Sequence, residues 1–281
     1  MSGAVIGRML AGLVLALGMM SQAWAQQGAE RGAQIDALIA ALRIGDTVAL
    51  MREEGLVFGR EIGSDMLADG ESDGWPAVVS RIYDTEKMQA LVAQGLGEAL
   101  DEADPAPMIA FFASPRGQEI IALELAARRA FLDPVVEEGA RERLEMRRDE
   151  DDPLLGHVDR LIEDSDLIER NVSGALNANL MFYKGLVDGG ALEMSQDEIL
   201  DDVWSQEEAV REDAQGWLQS FLMMAYDPLS GSDLEAYAAF YRSAEGRALN
   251  RATFTAFDRM YEEISYLLGR AVAERMQSER L

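Results

Sequence analysis

Cysteine is absent from the 281 residues, histidine occurs once, at His157, and lysine twice, at Lys87 and Lys184. Each shortage closes off a class of chemistry. Without a thiol there is no disulfide, no thiolate nucleophile and no cysteine to carry the lipid of a lipoprotein, so stability has to come from packing. One histidine cannot supply the two or three His or Cys ligands that transition-metal sites use, and His157, after Leu154-Leu155-Gly156, reads as a surface or capping residue. Basic side chains are scarce as well: 25 Lys and Arg stand against 51 Asp and Glu, a formal net charge of −26. Such a field repels phosphate backbones and anionic head groups, which excludes nucleic acid as a partner and draws in cationic ones. No segment alternates apolar and polar residues between hairpin turns, so no strands are expected and no Gly-rich phosphate loop can follow one.

The apolar run that could be mistaken for a membrane span lies at the start. Arg8 is followed by an apolar stretch from Met9 to Met20 and then by Ser21-Gln22-Ala23-Trp24-Ala25, whose Ala-x-Ala pattern suits the small pocket of signal peptidase. The run is shorter than the roughly 20 residues that span a bilayer. Residues 1–25 are therefore expected to be a signal peptide cut after Ala25, placing the mature chain in the periplasm or outside the cell. Cutting there removes Arg8 and leaves 24 basic against 51 acidic side chains. Later stretches are too short or too polar to span, so no stable membrane insertion is expected after signal removal.

From Gln26 onward the apolar residues recur with the period of a helix. Ile35, Leu38, Ile39 and Leu42 make one stripe, and Val48, Met51, Leu56, Ile62 and Met66 a second, with Asp46 as its expected cap. Trp75-Pro76 opens a further helix and Asp84 caps the next. Asp104-Pro105, Ser114-Pro115 and Asp133-Pro134 each place a capping side chain before a proline, whose missing N–H would have no partner in a first turn. Capping boxes are expected at Ser195-x-x-Glu198, Ser205-x-x-Glu208 and Ser232-x-x-Glu235. The longest stripe runs from Leu249 to Val272. The fold class is all-α, with the boundary between a first unit (26–152) and a second (153–281) in the charged run Arg147 to Pro153, read as a solvated connection.

The two units are expected to be related. Ala110-Phe111-Phe112-Ala113-Ser114-Pro115-Arg116-Gly117 and Ala239-Phe240-Tyr241-Arg242-Ser243-Ala244-Glu245-Gly246 share the pattern A-F-[FY]-x-S-x-x-G at a spacing of 240 − 111 = 129. The same spacing relates Asp104 to Asp233 and Trp75 to Trp204. Leu56 to Arg60 and Leu180 to Lys184 echo each other at 180 − 56 = 124, implying about five extra residues near Gly189-Gly190, where a loop absorbs length cheaply. The motif reads as a corner between helices: Ser114 and Ser243 cap, and Gly117 and Gly246 let another backbone or ring come close. A nucleophilic serine would need an activator, and none is evident. The expected architecture is thus a duplicated helical array of two multi-helix halves.

Phe240-Tyr241-x-Ser243-x-x-Gly246, preceded by Asp233-Leu234 on a short amphipathic helix, resembles the core motif of a group of exported bacterial proteins catalogued as domain of unknown function number twenty fifty-nine. The second copy, Ser205 to Leu268, matches over its length; the first has Phe112 where the family has Tyr, although its Pro115 suits the family better than Ala244. The resemblance implies a small helical envelope domain, here in two copies, and brings no reaction, cofactor or catalytic residue with it.

Other constellations are weaker. Asp69-x-Glu71-x-Asp73-Gly74 copies half of an EF-hand loop, but Ser80 stands where the closing bidentate Glu belongs and Pro76 removes an amide, so a solvated loop is expected and not a calcium site. Asp201-Asp202, Glu207-Glu208 and Glu262-Glu263 project about 100° apart on a helix and read as hydrated faces, not acid/base pairs. Fifteen Met residues and the aromatics supply adaptable apolar surface, and Trp217, Phe221 and Tyr237 are where an apolar pocket is sought. The functional expectation is a non-catalytic envelope module binding an unknown envelope protein. The alternative is a carrier that holds a small apolar or lipid-like ligand between the halves. No catalytic residue, cofactor or metal is expected.

Overall fold

In a computed structural model, which describes residues 28–67, 74–100, 102–149 and 152–279, every regular element is a helix. Residues 1–25, where a signal peptide is expected, and the carboxylates Asp69, Glu71 and Asp73 lie outside the described residues. Helix α1 covers residues 28–41, followed by α2 (Ile44–Met66), α3 (Trp75–Ile82), α4 (Thr85–Ala99), α5 (Ala106–Phe112), α6 (Pro115–Ala130) and α7 (Pro134–Asp149). The second half holds α8 (Pro153–Asp164), α9 (Leu167–Asp188), α10 (Gln196–Trp204), α11 (Glu207–Tyr226), α12 (Gly231–Arg242) and α13 (Ala244–Glu279). Among the described residues no helix is long and apolar enough to cross a membrane.

Local chemistry sets most of the breaks. The Asp84 carboxylate accepts from the Lys87 amide, Asp104 from Ala106, Ser114 from Gly117 and Asp133 from Val135, so each cap satisfies a donor that the first helical turn leaves unpaired. At Ser195 the full capping box forms. The two other expected boxes do not. Ser205 closes α10, its hydroxyl donating back to the Asp202 carbonyl, and Gln206 precedes α11 without a side-chain cap. Ser232 lies inside the first turn of α12 because Ser230, in extended conformation, takes the cap and accepts from the Asp233 amide. Asp46 caps nothing: α2 starts earlier, after Arg43 in the left-handed region (φ 52°), and Asp46 binds the Arg43 guanidinium instead. Asp166, before α9, has the same left-handed conformation (φ 55°).

The two corners share a geometry and meet. Ser243 accepts from Gly246 at 2.9 Å, as Ser114 does from Gly117 at 3.1 Å. Both glycines are required by space: a Cβ would lie 2.3 Å from the Phe111 carbonyl oxygen at Gly117, and 2.0 Å from that of Phe240 at Gly246. The motif phenylalanines, Phe111 and Phe240, stack on one another with ring centroids 4.5 Å apart, and Phe112 meets Phe240 edge-on at 5.2 Å. Arg116 of one corner pairs with Asp233 beside the other at 2.7 Å.

Elsewhere the spacing misleads. Trp75 begins α3, is 2 % exposed and donates its indole N–H to the Gly59 carbonyl, whereas Trp204 ends α10 and is 59 % exposed. Helices taken in order also differ in length: α11 has 20 residues to the 15 of α4, and α12 has 12 to the 7 of α5. The run between the halves is also more than a solvated connection. Arg147 bridges Asp152 and Asp227, and Arg148 donates to the buried Gln219 amide oxygen, tying α7 to α11.

One apolar core serves both halves. It runs from Ile35 to Ala273 and crosses the 152/153 boundary, with α13 laid between α4 and α9 and with α11 against α6 and α7. A smaller cluster of Val172, Leu176, Ile199 and Val203 joins α9 to α10.

Candidate functional site

A cleft opens where the halves meet. Its inner chamber, about 230 Å³, is walled by α2, α5, α6, α11, α12 and α13 and lined by Thr47, Phe112, Glu124, Phe221, Tyr237, Tyr241 and Phe257, among others. An outer chamber of about 510 Å³ lies between α2, α9, α11 and α13, with Met51, Ala175, Ala178, Trp217, Phe254 and Asp258 on its walls. Thr47, Arg128, Thr253 and Phe257 face both, so the two adjoin.

The polar groups of the inner chamber come from helix faces that are otherwise apolar. On α6, Glu124 follows Ile120 by four residues and Ile121 by three, which places its carboxylate on the buried stripe. Tyr226 and Tyr237, 2 % and 4 % exposed, both donate their hydroxyls to Glu124 Oε1, at 2.6 and 2.9 Å. Tyr241 Oη lies 3.5 Å from Tyr237 Oη. Burial pushes the Glu124 carboxyl up, the two phenol donors opposing it, and burial beside Glu124 pushes all three tyrosines up. Both the phenols and the carboxyl therefore hold their protons more tightly than in water, which makes this a set of hydrogen-bonding groups and not a store of nucleophiles.

One turn on, Arg128 Nε and Nη2 each sit 2.7 Å from the Glu54 carboxylate, a bidentate pair joining α6 to α2. In the outer chamber Arg170 rests over the Phe254 ring, 5.5 Å from its centroid. Burial, then the neighbouring Glu262, push the Asp258 carboxyl up to about 6, with Arg170 opposing. The native state thus holds the Asp258 proton up to about pH 6, whereas the unfolded chain releases it near 3.8, the ordinary value of an aspartate. Stability is accordingly lost as pH rises between those values, because the unfolded state binds fewer protons. Asp258 is only half-buried, so the loss is discounted for solvent. Asp258→Asn is expected to raise stability at pH 8 by roughly 1 to 2 kcal/mol relative to its effect at pH 4, read by urea denaturation at both pH values.

Of the residues singled out by sequence, Trp217 lines the outer chamber and Phe221 and Tyr237 the inner one. Trp217 and Phe221 stack at 4.8 Å, and Phe131 meets both edge-on. Tyr237 also stacks on Phe111, linking the motif corner to the cleft. Phe111, Ser114, Gly117, Phe240, Ser243 and Gly246 build the corner rather than the chamber walls; the Ser114 and Ser243 hydroxyls are spent on capping. Glu124, Tyr226, Tyr241, Arg128 and Asp258 were not legible as site residues, although a glutamate inside the Ile120-Ile121 stripe was the available signal. Asp201, Asp202 and Glu263 are exposed, His157 lies 3.0 Å from Arg160, and no cluster of three metal-ligating side chains occurs among the described residues.

Residues 86–145 match the model of the family described as an uncharacterized protein conserved in bacteria, DUF2059. The matched segment carries one copy, from α4 into α7, and includes the Ser114 corner, Glu124 and Arg128. The match therefore lies on the first half and not on Ser205 to Leu268, the copy that resembled the family over more of its length in sequence. No curated protein and no solved structure matches the chain.

Proposed function

We propose that this is an exported periplasmic protein of non-catalytic function that holds a small apolar or lipid-like ligand in the cleft between its halves. The observation that carries the reading is the pair of adjoining chambers, lined mostly by apolar and aromatic side chains with a few convergent polar groups. Their combined walls come from both halves, and the stacked corners and matched left-handed residues Arg43 and Asp166 support treating the halves as related units. Export is supported by the Met9 to Met20 run and Ala23-x-Ala25. The other reading, docking of an envelope protein, has less to stand on: exposed large apolar side chains are spread over α2, α7, α10 and α13.

Native mass spectrometry of protein purified from its own periplasm tests this directly. The expected spectrum shows a chain beginning at Gln26 with a lipid-sized mass bound one to one. Ala178→Trp, which narrows the outer chamber, is expected to weaken or abolish the adduct while leaving the fold intact by circular dichroism. A chain free of any adduct that also fails to take up apolar probes in vitro would sink the proposal.

A further inference from the structure

Glu124 is a partly buried carboxyl facing the inner chamber, with no cationic partner among the described residues. Its own helix offers one at the right spacing, since Arg128 is four residues on, yet that guanidinium is turned to Glu54 in a bidentate pair. The phenols of Tyr226 and Tyr237 both converge on Oε1, and among the described residues no donor reaches Oε2 on the chamber side. Without a counter-ion such a carboxyl is held toward its neutral form, and a cation arriving with a ligand is what makes its ionised form favourable. Phe221 and Phe257 also line the chamber, and aromatic rings are a surface that attracts an organic cation. Arg170 and Asp258 balance in the outer chamber, and a chain of net charge −26 draws cations toward its clefts.

We infer that the inner chamber receives the ammonium head of an amphipathic amine, with Glu124 as its counter-ion and the apolar body of the ligand in the outer chamber. This rests on the reading of the cleft as a ligand site and names the chemistry of what enters it. An anionic amphiphile would bring its charge against Glu124, and a neutral alcohol would leave Oε2 without a cation.

Three probes of equal chain length decide the point: octylammonium, octanol and octanoate, titrated calorimetrically into the whole chain in high salt, which screens the acidic surface. Octylammonium is expected to bind one to one, about tenfold more tightly than octanol, with octanoate weakest. Glu124→Gln keeps the acceptor for both tyrosines but removes the charge. It is expected to erase the amine preference while leaving octanol binding within about twofold. If octanol or octanoate binds as well as the amine, or Glu124→Gln retains the preference, the cationic-head assignment is wrong while the cleft reading survives. If none of the three binds, both are wrong. Should Glu124→Gln not fold, the order of the three probes on the unaltered chain still decides.

Discussion

Gly246→Leu is expected to lower stability by about 3 kcal/mol or more, at or above the upper end of what overpacking ordinarily costs. A side chain at this position has nowhere to go. The first added carbon would stand 2.0 Å from the Phe240 carbonyl oxygen, 2.7 Å from its carbon and 2.8 Å from Tyr241 Cα, all backbone atoms that cannot rotate aside. Relief requires opening the α12–α13 corner, which pulls Phe240 from its stack on Phe111 and weakens the Ser243 cap. Tyr237, one turn before Phe240 on α12, is carried along, so its hydrogen bond to Glu124 is strained as well. For a chain of this size the melting temperature should fall by roughly 6 °C or more in a thermal unfolding scan. Gly231→Ala is the control: a Cβ there meets nothing within 4 Å, and its effect should stay within about 0.5 kcal/mol. An unchanged melting temperature for Gly246→Leu would show that the corner is not closely packed.

The helices were legible because their breaks are local events. Asp84, Ser114, Asp133 and Ser195 each need only a first-turn amide three residues or fewer away, and sequence spacing supplies it. Where two candidate caps compete, spacing cannot choose: Ser230 and Ser232 both precede an acidic residue by three, and the chain enters α12 extended at Ser230. The left-handed residue Arg43 escaped notice because arginine is not among the residue types enriched at positive φ. The site was legible in its apolar half. Trp217, Phe221 and Tyr237 stand out as large aromatics near one stripe, but Glu124 gains its meaning only from Tyr226 and Tyr237, more than a hundred residues away. Arg128 is similar, since pairing with Glu54 rather than Glu124 is decided by how α2 lies on α6 and not by any local rule.

The two tryptophans that the spacing of 129 equates should behave oppositely, and this measures how far the likeness of the halves extends. Trp75→Ala is expected to cost about 4 kcal/mol, as deletion of a large buried aromatic does. Its ring is 2 % exposed, sits in the shared core and donates to the Gly59 carbonyl at 2.7 Å, beside the close approach of α2 and α3 where a Cβ on Gly59 would lie 2.3 Å from Val79 Cγ1. Losing it leaves a void where two helices depend on each other, and removes a hydrogen bond worth about 1 kcal/mol. Trp204→Ala should fall within about 0.5 kcal/mol, because the side chain is 59 % exposed at the last turn of α10. Urea unfolding of both variants provides the comparison. Equal costs would restore Trp75 and Trp204 as counterparts; the expected disparity leaves the shared geometry at the left-handed residues Arg43 and Asp166 and at the corners of Ser114 and Ser243, where the same backbone contact, cap and stacked ring occur in both halves.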